Sequence, residues 1–349
     1  MEKTMNIPKA YATTVTKQAI DMTLSINPLG CSPRAQEALR ALTLKDLSTY
    51  PNQQPLLAAL ATFFRIPATS IMLGSGSEQL IKLICQTFVR SNSTVLVEEG
   101  SFFLFTSEPL LQNATVTYTS IPPKEIQAIR PSVLFIANPT TPGGINRTNK
   151  ELLAVIKRLK PRVVVVDEAN GEFRKETMIS ELKKVNNLIV LRTFSKALGI
   201  AGLRIGFAIS NPRVSAKLAQ FQQPFPVTTP AIVAAEAALS DRDFLNRTLL
   251  FVAKERKFLT NALETRGFRV SASITNNLFV SSIQNTTIIN KLQKLGVGVI
   301  DGAFFPNNPQ QGFRISIKDR KTNRAFLARL DEVLACLPTA KLLGSKEEL

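Results

Sequence analysis

At 349 residues, with 44% hydrophobic and 20% charged residues and a mean hydropathy of +0.07, the chain has material for a sizeable core and for two folding units. That balance excludes a disordered, collagen-like or disulfide-framework protein, and the apolar runs are too short to span a membrane. The 43 basic and 26 acidic residues leave a net charge of +17, and with no histidine the sequence excludes a Ser-His-Asp triad, a Cys-His pair and every imidazole metal site.

The first residues lack the apolar stretch of a secretory signal, so no signal peptide is expected. Short β-rich runs then alternate with helical patterns. Helical apolar spacing marks Gln54–Phe64, Ser77–Arg90, Lys150–Leu159 and Thr229–Leu239. Strands are predicted over Thr69–Leu73, Thr94–Glu98, Val133–Ala137, Val163–Asp167, Leu188–Arg192 and Arg204–Ile209. Several are apolar at consecutive positions, as expected of strands covered by helices on both faces. From Asp241 a long helical stretch leads to weaker strands near Phe268–Val270, Leu278–Val280 and Phe313–Ile317, and then to a closing helix. The expected fold is α/β, with a large domain over residues 46–245 built on a mostly parallel sheet covered by helices. Residues 1–45 and 246–349 are expected to form a smaller α+β domain.

Cys31, Cys85 and Cys336 are an odd number, far apart and without metal-site spacing, which predicts reduced thiols and a cytoplasmic location. The basic excess runs through the whole chain, and its densest cluster is Lys157, Arg158, Lys160 and Arg162. A nucleic-acid footprint would be a stripe with interleaved aromatics, so no specific nucleic-acid partner is expected. A basic surface still attracts phosphorylated small molecules.

Three segments carry chemistry. RTFSKALGIAGLRIGF, Arg192 to Phe207, begins where an apolar strand ends, the place where open α/β sheets bind ligands. Thr193, Ser195 and Arg204 can hold a phosphate there, and the amine of Lys196 beside a bound aldehyde forms a Schiff base. GSGSEQ, Gly74 to Gln79, follows a strand and opens a helix, whose N–H groups and positive dipole end favour an anion; a plain strand-to-helix turn is the alternative. VVVVDEAN, Val163 to Asn170, ends a buried strand with Asp167, a carboxylate able to hold a pyridinium nitrogen protonated; a loop acid is the alternative, and for Glu168 an ion pair.

With INPLGCSP (Ile26–Pro33), YPN (Tyr50–Asn52), GSFFLF (Gly100–Phe105), NPTTPGG (Asn138–Gly144) and FRISI (Phe313–Ile317), these segments resemble the fold-type I pyridoxal-phosphate (PLP) enzymes. Within them the chain resembles aminotransferase class I/II, in the branch that holds histidinol-phosphate aminotransferase and threonine-phosphate decarboxylase. The resemblance implies that Lys196 is the Schiff-base lysine and the proton carrier, and that Asp167 pairs with the pyridine nitrogen. It implies that Ser77, Glu78 (through its backbone), Thr193, Ser195 and Arg204 cradle the cofactor phosphate, and that Phe102 stacks on the ring. Arg314 would hold the substrate carboxylate, with Asn27 also at the substrate. Tyr50 would reach the phosphate of a neighbouring subunit, which implies a homodimer.

The chain departs from the family pattern at two positions. Thr141 stands where the second of two paired asparagines bonds the phenolic oxygen, and Asn170 where a tyrosine does so. Loss of both donors weakens phenolate stabilisation unless the Asn170 amide replaces them. The resemblance implies an aminotransferase that uses an amino donor and a 2-oxo acid acceptor. A threonine-phosphate decarboxylase-like reaction is the alternative, supported by INPLG. A binding protein that has lost its chemistry through Thr141 and Asn170 is a third possibility.

Overall fold

The structure, a computed structural model, describes residues 19–123 and 130–337. The runs Val133–Ala137 and Val163–Asp167 are buried at all five positions, and both lie inside a seven-stranded sheet. Across that sheet the order is Ile71–Gly74, Gly206–Ser210, Leu188–Thr193, Val163–Asp167, Val133–Ala137, Thr94–Glu98 and Thr115–Thr119. All neighbours pair in parallel except Gly206–Ser210, which is antiparallel to the strands on both its sides.

The strand period of two sorts the apolar residues. Val164, Val166, Leu188 and Val190 face one cluster with Leu152, Ile156, Ala231 and Ile232. Val163, Val165, Ile189 and Leu191 face another with Leu80, Ile81, Ile84 and Phe105. Helices therefore cover both faces, which is why these strands read as unbroken apolar runs.

A four-stranded antiparallel sheet follows, in the order Ile300–Asp301, Gly312–Ser316, Asn277–Ser281 and Arg269–Val270. Its core joins Leu278, Val280, Phe313 and Ile315 to the helices Arg242–Thr265, Asn285–Lys294 and Arg320–Ala335. The segment after residue 19 serves both sheets. Met22 is buried in the small sheet's cluster, whereas Ala35, on the helix Pro33–Arg40, is buried in the large sheet's core. Residues 1–45 thus do not all pack with the small sheet, contrary to the sequence expectation.

Other differences have local causes. The strand expected from Arg204 starts at Gly206 because Arg204 is left-handed, with φ 50°. The helix expected to reach Arg90 ends at Phe88, where Val89 turns extended. The edge strand Thr115–Thr119 and the helix Leu104–Leu111 were not expected. The strand TVTYT is partly exposed and polar at alternate positions, and the helix holds Pro109 in its interior.

Candidate functional site

Strand ends build the site. Asp167 ends one strand and Thr193 ends its neighbour, while Gly74 ends the strand that leads into the helix Gly76–Phe88. Around them lies a cavity of about 370 Å³ lined by Ser77, Glu78, Phe102, Thr141, Asp167, Asn170, Thr193, Ser195, Lys196, Arg204 and Arg314. Eleven residues singled out in the sequence therefore meet at one place. Leu24, Ser25, Ile26, Phe103, Ala169, Ala201 and Asn277 complete the lining.

The helix Gly76–Phe88 has no side-chain cap at its start, because Ser75 Oγ lies 2.6 Å from the Pro226 carbonyl instead. Its first N–H groups are thus available to an anion. Gly76 has φ +74°, and a Cβ there would lie 2.9 Å from Arg204 Nη2, so the glycine lets the guanidinium lie over the helix start. A Cβ on Gly206 would lie 2.9 Å from Ser77 N. Arg204 also pairs at 3.4 Å with Glu78, both groups being half exposed. Thr193 Oγ1 stands 2.9 Å from Ser195 Oγ and accepts from Ser195 N at 3.1 Å. Backbone donors, hydroxyls and one guanidinium thus meet here, a set able to hold a phosphate.

Burial pushes the Asp167 carboxyl up to about 6, against the pull of the Ala169 N–H and the nearby Lys196 ammonium. Asp167 Oδ1 accepts from Ala169 N at 2.9 Å. A carboxylate held this way gains from any further cationic or N–H partner, and the protonated ring nitrogen of pyridoxal phosphate is one. Residues and cofactor therefore fit: an anion cradle, a lysine and a buried acid around one cavity. Asn170 lines the same cavity with a buried Oδ1 that has no hydrogen-bond partner.

Behind Asp167, Glu168 forms the ion pairs expected as its alternative. It accepts from Arg174 Nη1 at 2.6 Å, Arg192 Nη1 at 3.1 Å, Thr177 Oγ1 at 2.6 Å and Met178 N at 2.8 Å. On the opposite wall, Arg314 is buried, donates to the Thr23 carbonyl at 2.7 Å and lies 5.5 Å from the Phe305 ring centroid.

Two predicted residues lie elsewhere. Asn27 does not line the cavity: its amide donates to the Ala197 carbonyl at 2.8 Å and to Thr248 Oγ1 at 3.0 Å, and its oxygen accepts from Leu29 N. In this structure its hydrogen bonds hold the segment next to Lys196. Gly199, at φ +78°, belongs to the same contact, since a Cβ there would lie 2.1 Å from the Gly30 carbonyl. Tyr50 is 82% exposed and stacks on Phe225 at 4.5 Å, outside the cavity lining. Sequence reasoning missed Leu24, Ile26 and Asn277. The INPLG motif did mark the neighbourhood of the first two, while Asn277 carried no signal of its own.

The family model for aminotransferase class I and II matches residues 17–330. The chain belongs to this family. It is therefore a pyridoxal-phosphate-dependent aminotransferase, whose substrates are small-molecule amino donors and 2-oxo acids. A histidinol-phosphate aminotransferase from Macrococcus caseolyticus is 32% identical over 313 residues, covering 85% of this chain and 86% of that protein. The histidinol-phosphate aminotransferase of Sinorhizobium meliloti, solved in complex with pyridoxal-5'-phosphate, superposes with a TM-score of 0.83 at 23% identity over 95% of each chain. The L-threonine-O-3-phosphate decarboxylase of Porphyromonas gingivalis superposes with a TM-score of 0.79 at 21% identity, over 90% of this chain and 99% of that one. At these identities the two superpositions describe the fold. Among the described residues no helix is long and apolar enough to cross a membrane.

Proposed function

We propose that this aminotransferase moves the amino group of histidinol phosphate, or of a phosphorylated amine of that kind, to or from a 2-oxo acid. The observation that carries the reading is the meeting of Lys196, Asp167, an uncapped helix start and Arg314 around one cavity. The names of relatives more than 30% identical over most of the chain supply the substrate.

When bound, pyridoxal phosphate supplies an electron sink beside the substrate's reacting carbon. Lys196 would hold the cofactor through its amine and, once free, would serve as the base for the proton on the substrate carbon. The Asp167 carboxylate holds the ring nitrogen protonated. The N–H groups of Ser77 and Glu78, with Thr193, Ser195 and Arg204, bind the phosphate, and Phe102 packs on the ring. Thr141 and Asn170 line the cavity as well, and the Asn170 amide would be the donor available to the phenolic oxygen. Arg314 binds the acidic group of the substrate by its two-pronged guanidinium.

The working unit is a homodimer in the cytoplasm. Leu44, Leu47 and the stacked Tyr50 and Phe225 are exposed apolar side chains available to a second copy, which supports the reading that Tyr50 reaches the partner's phosphate. The three free cysteines fit a reducing compartment. Residues 46–245 and the small sheet's elements act as two domains, with the cavity between them.

The test is the visible absorbance of the purified holoenzyme, recorded with histidinol phosphate, O-phosphothreonine and glutamate, with Lys196→Ala as control. Conversion of the cofactor to its amine form by histidinol phosphate is expected. Carbon dioxide release from O-phosphothreonine without that conversion would overturn transamination.

A further inference from the structure

The basic residues are scattered in the sequence, but several of them converge at the end of the large sheet opposite the active site. The strand Val163–Asp167 runs from a second cleft at Val163 to the catalytic cavity at Asp167, a span of about 13 Å at the usual rise per residue. The second cleft is the larger, with a volume of about 1370 Å³. Arg130 and Lys184 line it but are engaged, Arg130 with the Lys160 carbonyl and Lys184 with Glu181. Five further cations, Arg90, Lys157, Lys160, Arg162 and Lys217, reach it from three different parts of the chain. All five are exposed, and among the described residues no aspartate or glutamate lines the cleft. Lys160 caps its helix in the left-handed region, at φ 46°, where glycine carries no steric cost.

The floor differs from the rim. Ile156, Val163, Val185 and Val214 form an apolar base, and Phe221, 51% exposed, stands at its edge. Among the described lining residues Phe221 is the one exposed aromatic ring. Bases stack on such rings, while linked phosphates seek the kind of carboxylate-free cationic rim found here. One exposed ring serves one base. A single strand of nucleic acid, by contrast, uses a succession of stacking platforms.

We propose that this cleft is a second site, separate from the catalytic cavity, that binds a nucleoside polyphosphate. The base packs on Phe221 and the apolar floor. The phosphates lie among Lys157, Lys160 and Arg162. Neither the aminotransferase reaction nor its cofactor requires such a site.

The experiment is calorimetric titration of the holoenzyme, its catalytic site filled by cofactor, with ATP, with inorganic tripolyphosphate and with a twelve-nucleotide single-stranded RNA. ATP is expected to bind saturably, without altering the cofactor's visible absorbance. The Lys157→Glu/Arg162→Glu double variant changes two exposed side chains and should weaken ATP and tripolyphosphate alike by about tenfold or more. Phe221→Ala should weaken ATP by about fivefold or more through the lost stack and leave tripolyphosphate unchanged. The absence of saturable ATP binding, or equal ATP affinity in the Phe221→Ala variant, overturns the proposal. RNA binding tighter than ATP also overturns it, and makes the cleft a strand-binding groove.

Discussion

If Asp167 serves the cofactor as proposed, it does so at the expense of the apoprotein, and Asp167→Asn separates the two effects. Burial pushes the carboxyl up from the ordinary 3.8 to about 6, so the folded apoprotein holds that proton more tightly than the unfolded chain does. Stability therefore falls as pH rises from 3.8 through 6 and is flat above. Linkage puts the loss at about 3 kcal/mol once pH is above 6, and at roughly half of that near pH 5.

Asparagine keeps the shape and can keep the acceptor for the Ala169 N–H, yet carries no charge to desolvate. Denaturant unfolding of cofactor-free wild type and Asp167→Asn should show the variant gaining about 1–2 kcal/mol on wild type between pH 5 and pH 8. Cofactor affinity should move the other way, because the variant lacks an anion for the ring nitrogen. A stability difference independent of pH, or undiminished cofactor binding, would refute the account of Asp167 as a carboxylate kept in a costly place for a cationic partner.

Other substitutions test other parts of the site. Glu168→Ala strips a fully buried acid from Arg174 and Arg192, and thermal unfolding should register a loss of about 3–5 kcal/mol. Gly206→Ala forces a Cβ to 2.8 Å from the Arg192 carbonyl and 2.9 Å from Ser77 N; it should cost about 1–3 kcal/mol and weaken cofactor binding measured by equilibrium dialysis. Arg314→Ala should lower kcat/KM for the amino donor by about a hundredfold, while the cofactor spectrum of the unliganded enzyme stays unchanged. Asn27→Ala should cost about 1–3 kcal/mol of stability with KM unaltered; a raised KM at full stability would return Asn27 to the substrate.

The cofactor half of the site was legible because it is local. Strand ends announce themselves by apolar runs that stop, as VVVV stops at Asp167 and the run Leu188–Leu191 stops before Thr193. Glycines next to those ends mark turns that only they permit. The substrate half is assembled by long-range folding. Leu24 and Ile26 reach the cavity only because their segment crosses to the small sheet, and Asn277 only because its strand pairs with Gly312–Ser316. No periodicity encodes that approach. Asn27 shows the limit most clearly: Ile26 of the same motif lines the cavity, but one residue along the segment the side chain turns toward Ala197. The edge strand Thr115–Thr119 was missed for a related reason, since a strand exposed on one side needs no apolar run.

This division between local and long-range parts has a consequence for how specificity changes. The segment Thr23–Ile26 is fixed by its backbone: its carbonyls accept from Arg314 Nη2 at 2.7 Å, Lys318 Nζ at 2.8 Å and Asn276 Nδ2 at 3.2 Å. Its side chains Leu24 and Ile26 remain 41% and 44% exposed at the cavity. Since main-chain bonds hold the segment, those two side chains can vary without unfastening it. The strand ends that present Asp167, Thr193 and the helix start at Gly76 lie in the other sheet and share no hydrogen bond with either side chain. Substitution at Leu24 or Ile26 should therefore alter the choice of amino donor while leaving the fold and cofactor affinity in place, whereas substitution at Gly76, Asp167 or Lys196 cannot change one without the other.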